Sequence, residues 1–131
     1  MRTESHSLTS FEVARAIANL ANDRKALDIV ILNTEDVTPM SDYFVIATVD
    51  NRTQLQSLSQ AISQYCSQQL GIKANGVERD LPNHWVLLDL GDIVVHLFNP
   101  ESRVFYGLEQ FWSHATKVPQ SQWLDDQRMV S

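Results

Sequence analysis

Apolar residues recur along the chain in two periods, and each period predicts an element. Thr9-Ser10-Phe11-Glu12 fits a capping box, and Leu8 with Val13 fits the flanking hydrophobic staple. Val13, Ile17, Leu20 and Ala21 then form one stripe at helical spacing. Asp28 to Leu32 reads as a buried strand, 36–41 as a turn-rich connection, and Tyr43 to Val49 as a second strand. Asn51 suits the cap of a second helix from about Arg52 to Leu70, striped by Leu55, Leu58, Ile62, Tyr65 and Cys66 and ended by Gly71. A short strand is expected around Lys73 to Glu78, followed by a loop from Arg79 to Asn83.

The sharpest local pattern is a hairpin from His84 to Phe98, with Gly91-Asp92 as its two-residue turn. That register sets Leu90 against Ile93, Leu88 against Val95 and Val86 against Leu97, an aliphatic face suited to a core. The other face pairs Asp89 with Val94, Leu87 with His96 and Trp85 with Phe98. Asn99-Pro100 suits a cap and first helical position, and a last helix carries Val104, Phe105, Leu108, Phe111 and Trp112. Helices interleaved with strands predict an α/β (α+β) domain with a mixed five-stranded sheet flanked by helices. Residues 1–116 form the expected domain, and the pattern dissolves in 117–131, which is expected to be a mobile tail.

Composition narrows the function. The chain of 131 residues suits one domain, and its 44% hydrophobic content is that of an ordinary globular protein. Its longest aliphatic run is Ile29-Val30-Ile31-Leu32, far short of the roughly 20 apolar residues that span a bilayer. The first residues have no signal-like apolar stretch and include Glu4, so a cytoplasmic location is expected. The net charge of −6 and scattered cations disfavour phosphate-backbone binding and suit a basic protein surface.

Chemistry-bearing residues do not assemble into a catalytic motif. Gly71 and Gly76 have the spacing of a phosphate loop, but Val77-Glu78 stands where lysine and a hydroxyl residue are needed. The histidines His6, His84, His96 and His114 lack ligand spacing, and His96 reads as a structural residue on a sheet face. Cys66, on a helix stripe, reads as a small buried hydrophobe in preference to a nucleophile. Asp28, Asp42 and Asp92 each open a strand-like triplet with no second acid two residues on, so the carboxylate pair of a two-metal site is missing. No enzyme, metal or cofactor is expected. Trp85 has two readings, a side chain packed beneath a helix or an aromatic anchor beside Asp89. The anchor is favoured because its face also carries Asp89 and His96.

The segments Asp42-Tyr43-Phe44-Val45-Ile46-Ala47-Thr48, Asn51-Arg52, Trp85 to His96, and Glu101-x-Arg103-x-Phe105-Tyr106-x-Leu108-Glu109-x-x-Trp112 closely resemble the Iojap family, the ribosomal silencing factors. The resemblance runs from about residue 10 to 114. It implies a nucleotidyltransferase-like fold without catalytic carboxylates, and free homodimers. It further implies binding to large-subunit ribosomal protein fourteen, which blocks association with the small subunit and represses translation under nutrient limitation. By matching position, Trp85, Asp89, Leu90, Asp92 and Tyr106 would contact the partner. Leu90 points away from Trp85 and Asp89 in the hairpin register, so it is expected to reach the partner edge-on from the turn. Pro82 departs from the glycine-rich loop of many relatives. The alternative is a nucleotide-using transferase with relocated carboxylates.

Overall fold

The structure, a computed structural model, describes residues 8–80, 85–107, 110 and 113–125, with the backbone alone for 76–80 and 104–106. Leu108, Phe111, Trp112, most of the 79–83 loop and the side chain of Tyr106 therefore lie outside the described residues. Helix α1 runs Ser10–Asp23 and starts as expected. The Thr9 hydroxyl accepts the Glu12 N–H at 3.1 Å, and the Glu12 carboxylate accepts the Thr9 N–H at 2.9 Å. Together they satisfy donors that a helix start otherwise leaves bare. Strands β1 (Leu27–Asn33) and β2 (Tyr43–Thr48) follow, then α2 (Arg52–Gln69), capped by the Asn51 side chain on the Gln54 N–H at 2.7 Å.

Strand β3 (Gly76–Asp80) lies later than the sequence pattern places it. Its ladder to the next strand, not an internal apolar pattern, sets its bounds. The hairpin strands β4 (Trp85–Asp89) and β5 (Ile93–Phe98) pair in the expected register throughout. Gly91 holds a φ of 89°, a conformation that favours glycine, while Leu90 N–H closes the turn on the Ile93 carbonyl at 2.9 Å. Helix α3 (Pro100–Tyr106) is capped by the Asn99 side chain and ends at Gly107 in the left-handed region.

The remaining elements correct the expectation of a mobile tail from Lys117. Thr116–Lys117 forms a sixth strand, β6, and Gln120–Trp123 a short helix, α4. Trp123 is 2% exposed in the main core, and its carbonyl accepts from the Asn19 side chain at 2.7 Å. One buried aromatic four residues past a proline carries no periodic signal, so the sequence pattern missed it. Residues 126–131 lie outside the described residues.

The sheet order is β3-β4-β5-β2-β1-β6, with β2 and β5 parallel and every other pair antiparallel. One face packs on α1 and α2. There Val13, Ile17, Leu55, Leu58 and Ile62 meet Ile31, Val45, Val86, Leu88, Val95 and Leu97. Each such buried aliphatic side chain contributes roughly 1.5–3 kcal/mol of transfer free energy. The opposite face has a smaller core of Val30, Leu32, Phe44, Ile46 and Phe98.

Candidate functional site: a half-open sheet face

Strand alternation sends Trp85, Leu87 and Asp89 of β4 to the face opposite α1 and α2, because Val86 and Leu88 are fully taken by the helix side. The ladder aligns them with Phe98, His96 and Val94 of β5, and those with Thr48, Ile46 and Phe44 of β2. Burial then changes across this face. Phe44, Ile46, His96 and Phe98 are buried, whereas Trp85, Leu87, Asp89 and Val94 remain half-exposed. The result is a half-open strip along β4 and the start of β5 with two aliphatic residues, an indole and a carboxylate.

The indole is held by an aromatic row. Trp85 stacks on Phe98 at a centroid separation of 6.1 Å and an interplanar angle of 10°. Phe98 stacks in turn on His96 at 6.2 Å, and His96 meets Phe44 edge-on at 4.9 Å. Offset aromatic pairs of this kind fix ring orientation at little further entropy cost. Trp85 therefore does not lie beneath α1 or α2: it stacks on Phe98 of the neighbouring strand and remains half-exposed.

His96 is the one buried imidazole among the described residues, and it is 5% exposed. Neither ring nitrogen has a hydrogen-bond partner among the described residues. Burial lowers its pKa to about 4, because a charged ring would lose its water there without gaining a counter-charge. It is a neutral packing element, as the isolated histidine suggested. Cys66 is likewise enclosed, and burial pushes its thiol up to about 11.

The other sequence-selected residues separate. Asp89 Oδ1 accepts the Gly91 N–H at 2.9 Å, so this carboxylate shapes the turn while its half-exposed position keeps it on the open strip. Asp92 is exposed at the turn, and its carbonyl accepts the N–H groups of Asp42 at 2.7 Å and Tyr43 at 3.2 Å. Leu90 corrects an expectation. It is 6% exposed within the helix-side core, so its side chain does not emerge at the turn tip, which Gly91 and Asp92 form. Tyr106 ends α3, and its side chain lies outside the described residues. Leu87 and Val94 were not singled out from the sequence. The available signal was two aliphatic residues on a hairpin face that otherwise carries polar groups.

Among the described residues no three of His, Cys, Asp and Glu gather as a metal site, and no helix is long and apolar enough to cross a membrane. Among the described side chains, the strip offers apolar contact area with one charge at its end.

Comparison with known proteins adds a family relationship. The family model described as "Ribosomal silencing factor during starvation" matches residues 7–130. Ribosomal silencing factor RsfS of Halalkalibacterium halodurans is 32% identical over 111 residues, covering 85% of this chain and 94% of that protein. Protein Iojap, chloroplastic, of Arabidopsis thaliana is 37% identical over 109 residues, covering 83% of this chain. The matched stretch spans 45% of that longer plant protein. A solved structure of a Chromobacterium violaceum protein superposes with a TM-score of 0.76 at 28% identity, covering 81% of this chain and 88% of the other. One from Bacillus halodurans gives 0.67 at 32% identity, covering 79% and 94%.

Proposed function

Because the chain belongs to the ribosomal silencing factor family, we propose that it docks on large-subunit ribosomal protein fourteen through the half-open strip on β4. Docking there would block association of the large subunit with the small one and so repress translation under nutrient limitation. The observation that carries this reading is the strip itself: Trp85 is held rigidly by Phe98 yet half-exposed, with Leu87 and Val94 beside it and Asp89 at the end. A pre-oriented aromatic ring within apolar surroundings is the composition of an interface hot spot, since little ordering entropy is lost on contact. The net charge of −6 supports a basic partner surface, for which long-range attraction speeds encounter.

In this proposal Trp85 is the anchor, Asp89 and Asp92 supply charge at the rim, and Tyr106 lies at the end of α3 as a further contact. Leu90 serves from beneath, as core under the turn. The protein works without a catalytic step, in the cytoplasm, and is a homodimer when free. Its sheet is that of a nucleotidyltransferase-like fold without the catalytic carboxylates.

The test is a sucrose gradient of purified ribosomal subunits at moderate salt. Added protein is expected to co-sediment with large subunits and to lower the fraction of joined ribosomes. An unchanged joined fraction overturns the reading.

A further inference from the structure

Residues 34–42 join β1 to β2, and hydrogen bonds fasten this loop along its length. Thr34 is fully buried, and its N–H donates to the Asp42 carbonyl at 2.8 Å. The Thr34 hydroxyl lies 3.0 Å from the Ser41 carbonyl, to which it donates, and 2.9 Å from the Ser41 hydroxyl. Its carbonyl accepts the Val37 and Thr38 N–H groups, both at 3.0 Å. The Met40 N–H donates to the Thr38 hydroxyl at 3.1 Å, and the ring of Pro39 fixes φ just before it. Buried polar groups paired in this way are costly to separate, so the loop holds one shape.

That shape leaves Met40 83% exposed, against 50% for Leu27 and 42% for Leu8, the other large hydrophobics exposed among the described residues. A lone exposed apolar side chain is ordinary on a protein surface. The surroundings of Met40 are not. Strands β2 and β5 run parallel from Tyr43 beside Ile93, so the loop and the Gly91-Asp92 turn stand at the same end of the sheet. The Asp92 carbonyl ties them together by accepting the Asp42 and Tyr43 N–H groups. Asp89, the charged end of the strip on β4, reaches the same place through its bond to the Gly91 N–H. Residues 34–42 and 89–92 carry Glu35, Asp36, Asp42, Asp89 and Asp92 and neither lysine nor arginine. Tyr43 registers this charge, since its pKa is raised by burial first and then by the Glu35 and Asp42 carboxylates.

We propose that the 34–42 loop is a second contact for the partner docked on the strip, with Met40 as an apolar knob among carboxylates. The occupant is a protein surface with an apolar depression bordered by lysine and arginine. An acidic border repels a phosphate backbone, and an unbranched thioether adapts to an irregular apolar socket. The loop continues the strip around the hairpin tip, so this proposal rests on the docking reading and adds a pre-formed anchor to it. The loop's hydrogen bonds are already made before contact, so little ordering entropy is lost there.

Photo-crosslinking from position 40 tests the idea. The full chain with Met40→Cys is modified with benzophenone maleimide, while Cys66, fully buried, stays unmodified. Illumination with purified large subunits is expected to join position 40 to a ribosomal protein. Leu27→Cys, treated in the same way, is the control, because Leu27 pairs with Thr48 at the other end of the sheet and is expected to give no crosslink. Unlabelled Met40→Ser is expected to bind large subunits about tenfold more weakly than wild type, with an unchanged unfolding curve, since an exposed side chain gives the fold little. If the probe itself prevents co-sedimentation, Met40→Ser decides. Co-sedimentation without a crosslink from position 40, a crosslink to RNA alone, or equal crosslinking from positions 27 and 40 overturns the proposal and leaves docking through the strip standing. So does Met40→Ser binding as tightly as wild type. Unmodified wild type that fails to co-sediment removes the docking reading, and this proposal with it.

Discussion

The two faces of the sheet are built from the same strands and treat polar groups in opposite ways. On the helix side, Val86, Leu88, Val95 and Leu97 alternate with nothing polar and are sealed beneath α1 and α2. On the opposite side, the same hairpin presents Trp85, Leu87, Asp89, Val94 and His96, and exposure increases from β5 toward β4. The difference teaches that a sheet face left partly uncovered by its own helices can tolerate an acid and an indole. Asp89 keeps its water there, whereas a carboxylate among the helix-side residues would be stripped of it.

Changes that remove packing from the sealed face should have the largest effect. Leu88→Ala is expected to cost about 2–5 kcal/mol of folding stability, read from denaturant unfolding, because two rigid layers cannot close the cavity. A cost below about 1 kcal/mol would show that the helix layer is loosely packed and the contrast between faces overstated.

His96 makes the opposite face sensitive to acid. Its folded pKa of about 4 lies below the ordinary value of 6.5, so the unfolded chain takes up the proton first. Stability is therefore unaffected by this group above about pH 6.5 and falls as pH drops from there toward 4, by roughly 3 kcal/mol across the window. In His96→Leu that part of the acid slope is expected to vanish from unfolding curves measured between pH 7 and 4. An unchanged slope would mean that the ring finds water or a partner when charged.

Trp85→Ala should separate folding from docking. Losing the stack on Phe98 is expected to cost about 1 kcal/mol of stability, and losing the anchor at least about 2 kcal/mol of binding to large subunits. Melting curves and binding isotherms on one preparation check both. A melted variant, or a stable one that binds as tightly as wild type, removes Trp85 from the interface.

The smallest effect is expected from charge at the rim. Asp89→Asn keeps an oxygen for the Gly91 N–H while removing the charge, so stability should change by less than about 0.5 kcal/mol. Asp89→Lys places a like charge before a basic partner. Both should slow association with large subunits at low salt, Lys more than Asn, with the difference fading as salt rises. Equal association rates for all three proteins would place Asp89 outside the rim.

Local order decided how much of this was legible in the chain. The capping box at Thr9, the Asn51 and Asn99 caps and the Gly91 turn rest on residues within four positions of one another, so short-range chemistry determines them. The hairpin register follows from that turn, and with it the membership of each face, because side chains alternate strictly along a strand. Tertiary structure alone decided the rest. The parallel pairing of β2 with β5 joins residues about fifty apart, and the sequence pattern does not encode which strands become neighbours. The burial of Leu90 in the helix-side core and the half-exposure of Leu87 and Val94 on the other face depend on which side of the assembled sheet the helices cover. The latch of Trp123 on Asn19 spans 104 positions between two residues of unremarkable local context, and its stability comes from a pocket that exists only once the sheet and α1 have assembled.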